Sequence, residues 1–190
     1  MPELEINAST TALVVIDLQK GIAGRIVQPH SAQDVVKNAA ALVRAFRKHG
    51  MPVFLVHVVN TQATTLSAET DESFPRPPVL PPDWSEFVPE IAPVPSDTVI
   101  AKKQWGAFYG TDLELQLRRR GMNTIVLCGI STEYGVESTA RFAYEFGFSQ
   151  IFAEDAMASM TAESHNAAVK FIFRRMGRVR TTAEILEVIG

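Results

Sequence analysis

The tightest constraint on this chain is a rhythm: short apolar, β-branched runs alternate with stretches of helical spacing. Ala12 to Ile16, Pro52 to Val58, Thr98 to Ala101, Thr124 to Cys128, Gln150 to Ala153 and Arg178 to Arg180 read as strands. Between them, Val35, Ala39, Leu42 and Phe46 recur at helical spacing, with Ser31 and Asp34 as a capping pair and Gly50 as the stop. Thr111 with Glu114 and Thr181 with Glu184 read as capping boxes, Thr161 as a further cap, and Gly135 to Phe146 as a helix. Strands that alternate with helices predict an α/β fold: a doubly wound, Rossmann-like parallel sheet of six strands with helices on both faces. The 190 residues suffice for one such domain, spanning 1–190.

One segment breaks the rhythm. Eight of the eleven prolines fall between Pro75 and Pro95, and fixed φ angles with missing N–H donors exclude regular structure there. Residues 60–97 are expected to lie over a ligand site or in a subunit interface.

Charge and composition narrow the function classes. A net charge of -3 and the lack of a basic run argue against a nucleic-acid partner. The apolar runs are far too short to span a membrane, and no basic-then-apolar leader opens the chain. One cysteine, Cys128, cannot form an intramolecular disulfide, so a reducing, cytoplasmic setting is expected.

In open parallel sheets, ligands bind beyond the carboxyl ends of the strands. That rule selects Asp17, the loop after Ala101 with Lys102 and Lys103, and the turn from Gly129 to Gly135. Asp17 reads equally as a functional carboxylate and as half of a buried salt bridge. One of Lys102 and Lys103 could reach it, the alternative being a surface lysine, which is the reading favoured for Lys103. Ser131 or Thr132 can cap the helix after the turn, whose N–H groups suit an anion. Trp105, Phe108 and Tyr109 are core residues or an aromatic wall. Cys128 reads as a core hydrophobe and His57 as a satisfied structural histidine. His30, His49 and His165 show no metal-ligand spacing with one another or with nearby carboxylates, so neither metal nor cofactor is expected.

Taken together, Val14-Val15-Ile16-Asp17-Leu18-Gln19, Lys102 through Phe108, Cys128 through Val136 with Thr139-Ala140, and Glu154-Asp155-Ala156 resemble the isochorismatase-like hydrolase family, with a YecD-type pattern. The resemblance runs over nearly the whole chain. It implies the doubly wound fold, a homo-oligomer (dimer or tetramer), a small-molecule substrate, and a cis peptide between Ile130 and Ser131. The family's aspartate, lysine and cysteine fall on Asp17, Lys102 and Gly135, and Gln19, Trp105, Phe108, Ile130, Ser131 and Tyr134 are the implied substrate contacts.

Gly135 is the main departure, because a glycine cannot attack a carbonyl. True isochorismatases share that glycine and hydrolyse a vinyl ether, which needs a proton on carbon and then water. The resemblance therefore implies non-covalent hydrolysis with Asp17 as general acid, Lys102 orienting the substrate and Gly135 leaving room. A second departure is Ser131, which stands where isochorismatases carry a substrate-contacting tyrosine; their glutamine contact falls on Val58. The alternative is a binding or regulatory protein on a degenerate hydrolase scaffold.

Overall fold

The computed structural model describes residues 4–59, 66, 68–72 and 79–190. Its six strands are β1 (Thr11–Ile16), β2 (Val53–Val58), β3 (Thr98–Lys102), β4 (Thr124–Ile130), β5 (Ser149–Ala158) and β6 (Arg178–Arg180). All pair in parallel, in the order β3-β2-β1-β4-β5-β6. The helices are α1 (Lys20–Ala23), α2 (Ala32–Lys48), α3 (Leu113–Arg119), α4 (Glu137–Glu145), α5 (Ala162–Ala167), α6 (Arg174–Met176) and α7 (Thr182–Ile189). None among the described residues is long and apolar enough to cross a membrane.

Burial on both faces explains the uninterrupted apolar character of β1. Successive side chains point to opposite faces of a strand. Leu13 and Val15 therefore join one core with Val35, Leu42 and Phe46 of α2 and Ile185 of α7. Ala12, Val14 and Ile16 join the other, with Leu113 and Leu117 of α3 and Ala140 and Ala143 of α4. Cys128 is buried in the first core, and desolvation pushes its thiol up to about 12, which fits a core hydrophobe.

The caps explain where helices begin, with one correction. Ser31 Oγ accepts from Asp34 N at 3.1 Å, Thr161 Oγ1 accepts from Ser164 N at 3.1 Å, and Thr181 and Glu184 form a full capping box. The box expected at Thr111 and Glu114 does not form. Asp112 is the cap of α3, and Thr111 Oγ1 donates back to Ala107 O at 2.5 Å. The hydroxyl satisfies the preceding loop and gives up the box. Likewise, the helix expected from Gly135 begins with a π-turn over Thr132–Val136 and becomes α-helical at Glu137.

The strand order reverses between β1 and β4, and the crevice for a ligand opens beyond the carboxyl ends at such a switch point. Asp17 follows β1 and the turn from Ser131 follows β4, so both sit at this point.

Candidate functional site

Asp17 leaves β1 with φ 55°, the one positive φ among the described non-glycine residues. Aspartate tolerates this left-handed conformation better than most residues, and such strain clusters at functional sites. Its N–H stays in the sheet, donating to Val56 O at 2.9 Å.

Lys102 ends β3, two strands away from β1, in register with Val58. Two strand spacings amount to about 9–10 Å. The lysine and aspartate side chains, reaching toward each other, span that distance, and Lys102 does so entirely buried. Its Nζ lies 2.8 Å from Asp17 Oδ2 and also donates to the Trp105 carbonyl. Burial raises the Asp17 pKa above its ordinary value, and Lys102 opposes that shift. Asp17 Oδ1 is buried without a hydrogen-bond partner among the described residues. An orphaned buried oxygen next to a fixed cation is a costly arrangement, and such groups call for an explanation.

The turn after β4 approaches from the other flank of β1. Gly129 allows this approach: its φ is +127°, and a Cβ there would stand 2.0 Å from the Ile16 carbonyl oxygen. The next peptide but one, Ile130–Ser131, is cis. Ser131 O accepts from Tyr134 N at 3.3 Å and from Val136 N at 3.2 Å, which closes the π-turn. Single π-turns of this kind occur often at functional sites. They place Gly135 directly over the ion pair: a Cβ on it would lie 2.9 Å from Ile16 Cγ2, 3.0 Å from Asp17 Oδ2 and 3.2 Å from Lys102 Nζ. Thr139 holds the turn, donating to Gly135 O at 2.7 Å and accepting from Ala107 N at 3.0 Å.

Asp17, Lys102 and Gly135 therefore meet at one point. Trp105 and Tyr134 pack edge to face beside it, ring centroids 4.8 Å apart, with Trp105 half exposed. Ser131 is half buried and Ile130 fully buried in the core at the end of β4.

Two of the expected contacts have other occupations. Phe108 is buried against Phe146 and Phe148 and belongs to the core. Gln19 is fully buried, and its amide is committed to the backbone: Oε1 accepts from Val58 N at 2.7 Å, and Nε2 donates to Val58 O and Trp84 O at 3.2 and 3.1 Å. Replacing Gln19 with leucine is expected to leave the buried Val58 N–H without its acceptor, at about 1–3 kcal/mol. Urea unfolding should show that loss, while the KM of the folded fraction changes little.

Gln19 thereby clamps the proline-rich segment beside Asp17. Val88 N donates to Leu18 O, Lys20 N to Glu86 O and Gly21 N to Trp84 O, at 2.8–3.1 Å. His57 Nδ1 bonds Ser85 O at 2.7 Å and its ring stacks on Phe87, so this histidine is satisfied as expected. Residues 84–88 thus line the carboxyl edge next to the site; 60–65, 67 and 73–78 of the same segment lie outside the described residues.

The spacing argument against a grouping of histidines with carboxylates fails in three dimensions. Folding brings His30, Glu154 and His165 together, with one ligand atom of each within 4.8 Å of the others. Glu154 lies 124 positions from His30 and 11 from His165, on a loop, a strand and a helix in chain order His30, Glu154, His165, so no local pattern announces the cluster. Hydrogen bonds from His165, and then from His30, hold the Glu154 carboxyl down at about 2.

The isochorismatase domain model matches residues 11–184. The chain is 52% identical over 188 residues to the uncharacterized isochorismatase family protein YecD of Escherichia coli O157:H7, across 98% of this chain and 100% of that one. It is 50% identical over 191 residues to the uncharacterized isochorismatase family protein YwoC of Bacillus subtilis (strain 168), across 100% and 99% of the two chains. A solved isochorismatase family protein from Burkholderia thailandensis superposes with a TM-score of 0.91, at 43% identity and 97% coverage of both chains.

Proposed function

The chain belongs to the isochorismatase family, and on that premise we propose that it hydrolyses a small organic molecule without a covalent intermediate, by vinyl-ether-type chemistry, with Asp17 as the proton donor. The observation that carries this reading is the position of Gly135. The residue whose Cβ would lie against both Asp17 Oδ2 and Lys102 Nζ, at 3.0 and 3.2 Å, has no side chain. Acyl transfer needs a nucleophile there. Proton transfer needs only the carboxyl group and room for the substrate.

Burial raises the Asp17 pKa, which favours the acid form, and Lys102 at 2.8 Å stabilises the carboxylate that forms when the proton leaves. The cation thus favours the state that develops during reaction, which is the differential stabilisation catalysis requires. The proton passes from Asp17 to the terminal vinyl carbon, and positive charge develops on the ether-bearing carbon. Water adds there, and the resulting hemiketal breaks into a ketone and an alcohol. The proton released by water restores Asp17. Lysine has three N–H donors, and the described residues use two of those on Lys102, leaving one for a substrate carboxylate. Trp105 and Tyr134 would form the aromatic wall for a ring.

The test is release of pyruvate from isochorismate, read by coupled oxidation of NADH. Turnover supports the reading and names the substrate. A folded protein that releases no pyruvate and turns over no other enol ether would instead be a binding or regulatory protein on this scaffold. Gly135→Ala should cut kcat/KM at least about tenfold, equivalent to ~1.4 kcal/mol in the barrier, because the new methyl presses on Asp17 Oδ2 and Ile16 Cγ2. Steady-state kinetics on the variant check this.

A further inference from the structure

His30, Glu154 and His165 lie apart from the chemistry above and do not depend on it. His30 precedes α2, Glu154 lies in β5 and His165 in α5. Both imidazoles turn the same nitrogen to the same oxygen: His30 Nε2 is 3.0 Å and His165 Nε2 3.1 Å from Glu154 Oε1. The two rings stand edge to face, 83° apart. His165 is fully buried, whereas Glu154 and His30 keep 27% and 30% of their side-chain surface open to solvent.

We propose that these three residues form a binding site for a divalent transition-metal ion, with zinc as the best match. Two imidazoles and one carboxylate are a borderline donor set, which suits zinc and its first-row neighbours and suits calcium or magnesium poorly. The three ligand atoms already converge, within 4.8 Å of one another, so a small adjustment of the side chains makes room for an ion among them. The partial exposure of Glu154 and His30 gives an entry path and leaves a coordination position for water or an anion.

The surroundings also fit. A metal-binding histidine generally bonds its second ring nitrogen to an oxygen that fixes the ring. His165 Nδ1 is 2.9 Å from Thr132 Oγ1, in a fully buried contact. With a metal on Nε2, Nδ1 carries the proton and donates to that hydroxyl. Without one, the hydroxyl can donate instead, so both states are satisfied. Thr132 opens the turn that carries Gly135, so the ion would be one hydrogen bond removed from that turn. A plain network of a carboxylate between two histidines is the competing account.

The two accounts separate on titration of the chelator-treated full-length protein with zinc chloride, followed by calorimetry, and with cobalt chloride, followed by its visible absorption. One zinc ion per chain is expected to bind saturably. His30→Ala and Glu154→Gln, both at partly exposed positions, should each weaken it at least about tenfold, and Thr132→Val about 10–100-fold. Circular dichroism checks that the variants are folded. His49, which bonds Gly190 O at 2.7 Å, serves as the control, and His49→Ala should leave affinity unchanged. Absence of saturable binding, or binding that His30→Ala and Glu154→Gln leave intact, would overturn the assignment.

Discussion

Asp17→Asn is expected to lower kcat by about 10²–10⁴-fold, the usual contribution of a positioned acid or base, with little change in fold. Asparagine is the informative replacement for two reasons. It keeps the shape of the side chain, and it tolerates the φ of 55° that Asp17 adopts, where alanine would add backbone strain. It still offers an oxygen to Lys102 Nζ, but it has no transferable proton. A binding role for Asp17 would raise KM instead, so the kcat–KM split distinguishes the two. The pH profile provides a second check. Burial raises the pKa of Asp17, and an acid works only while protonated. The wild-type kcat should therefore fall on the alkaline side, as pH rises through that raised value. A rate that climbs through the same range would make Asp17 a base and sink the proposed proton donation.

The sequence motifs pick out the residues that converge on one another, Asp17, Lys102 and Gly135, better than they sort the residues around them. The six strand cores were legible because a strand buried on both faces has to be apolar along its length. Asp17 and the Gly129–Gly135 turn were legible because they follow strands at the ligand-binding edge. Lys102 required the family spacing, since only the sheet order shows that it spans β2 to reach Asp17. Gln19 and Phe108, which the resemblance implies as ligand contacts, are occupied within the fold for a common reason: their partners are remote in sequence. The amide of Gln19 finds backbone 39 and 65 positions away, and Phe108 packs on Phe146 and Phe148. A polar or aromatic residue next to a motif carries no mark that separates a ligand contact from a long-range structural one. The His30–Glu154–His165 cluster is invisible on the same grounds, because a loop, a strand and a helix converge on it and no two of its members share a recognisable spacing.

Lys102→Met should destabilise the protein by about 3–5 kcal/mol at neutral pH, and the loss should shrink in acid. Methionine retains most of the buried stem volume, so the dominant change is a carboxyl group left without its cation. Asp17 already has a raised pKa because of burial, and Lys102 opposes that shift; removing the lysine lets the pKa rise further. A carboxyl whose folded-state pKa exceeds its unfolded value binds more protons when folded. Its stability contribution is then fully present below the unfolded value and is lost as pH rises through the folded one. In the variant that loss extends over a wider window, so its stability should fall further in total with rising pH than that of wild type. Well below the unfolded value the aspartate is neutral in both states, and the variant should approach or exceed wild type, which still buries a lysine charge. Urea unfolding across the acid-to-neutral range measures both curves. The double variant Asp17→Asn/Lys102→Met should lose the extra pH dependence, because neither titratable partner remains. A penalty for Lys102→Met that stays constant with pH, and that persists in the double variant, would instead trace the lysine's role to its packing and its bond to the Trp105 carbonyl. The ion pair would then contribute little to folding, and conservation of the fold in Asp17→Asn would follow for the same reason.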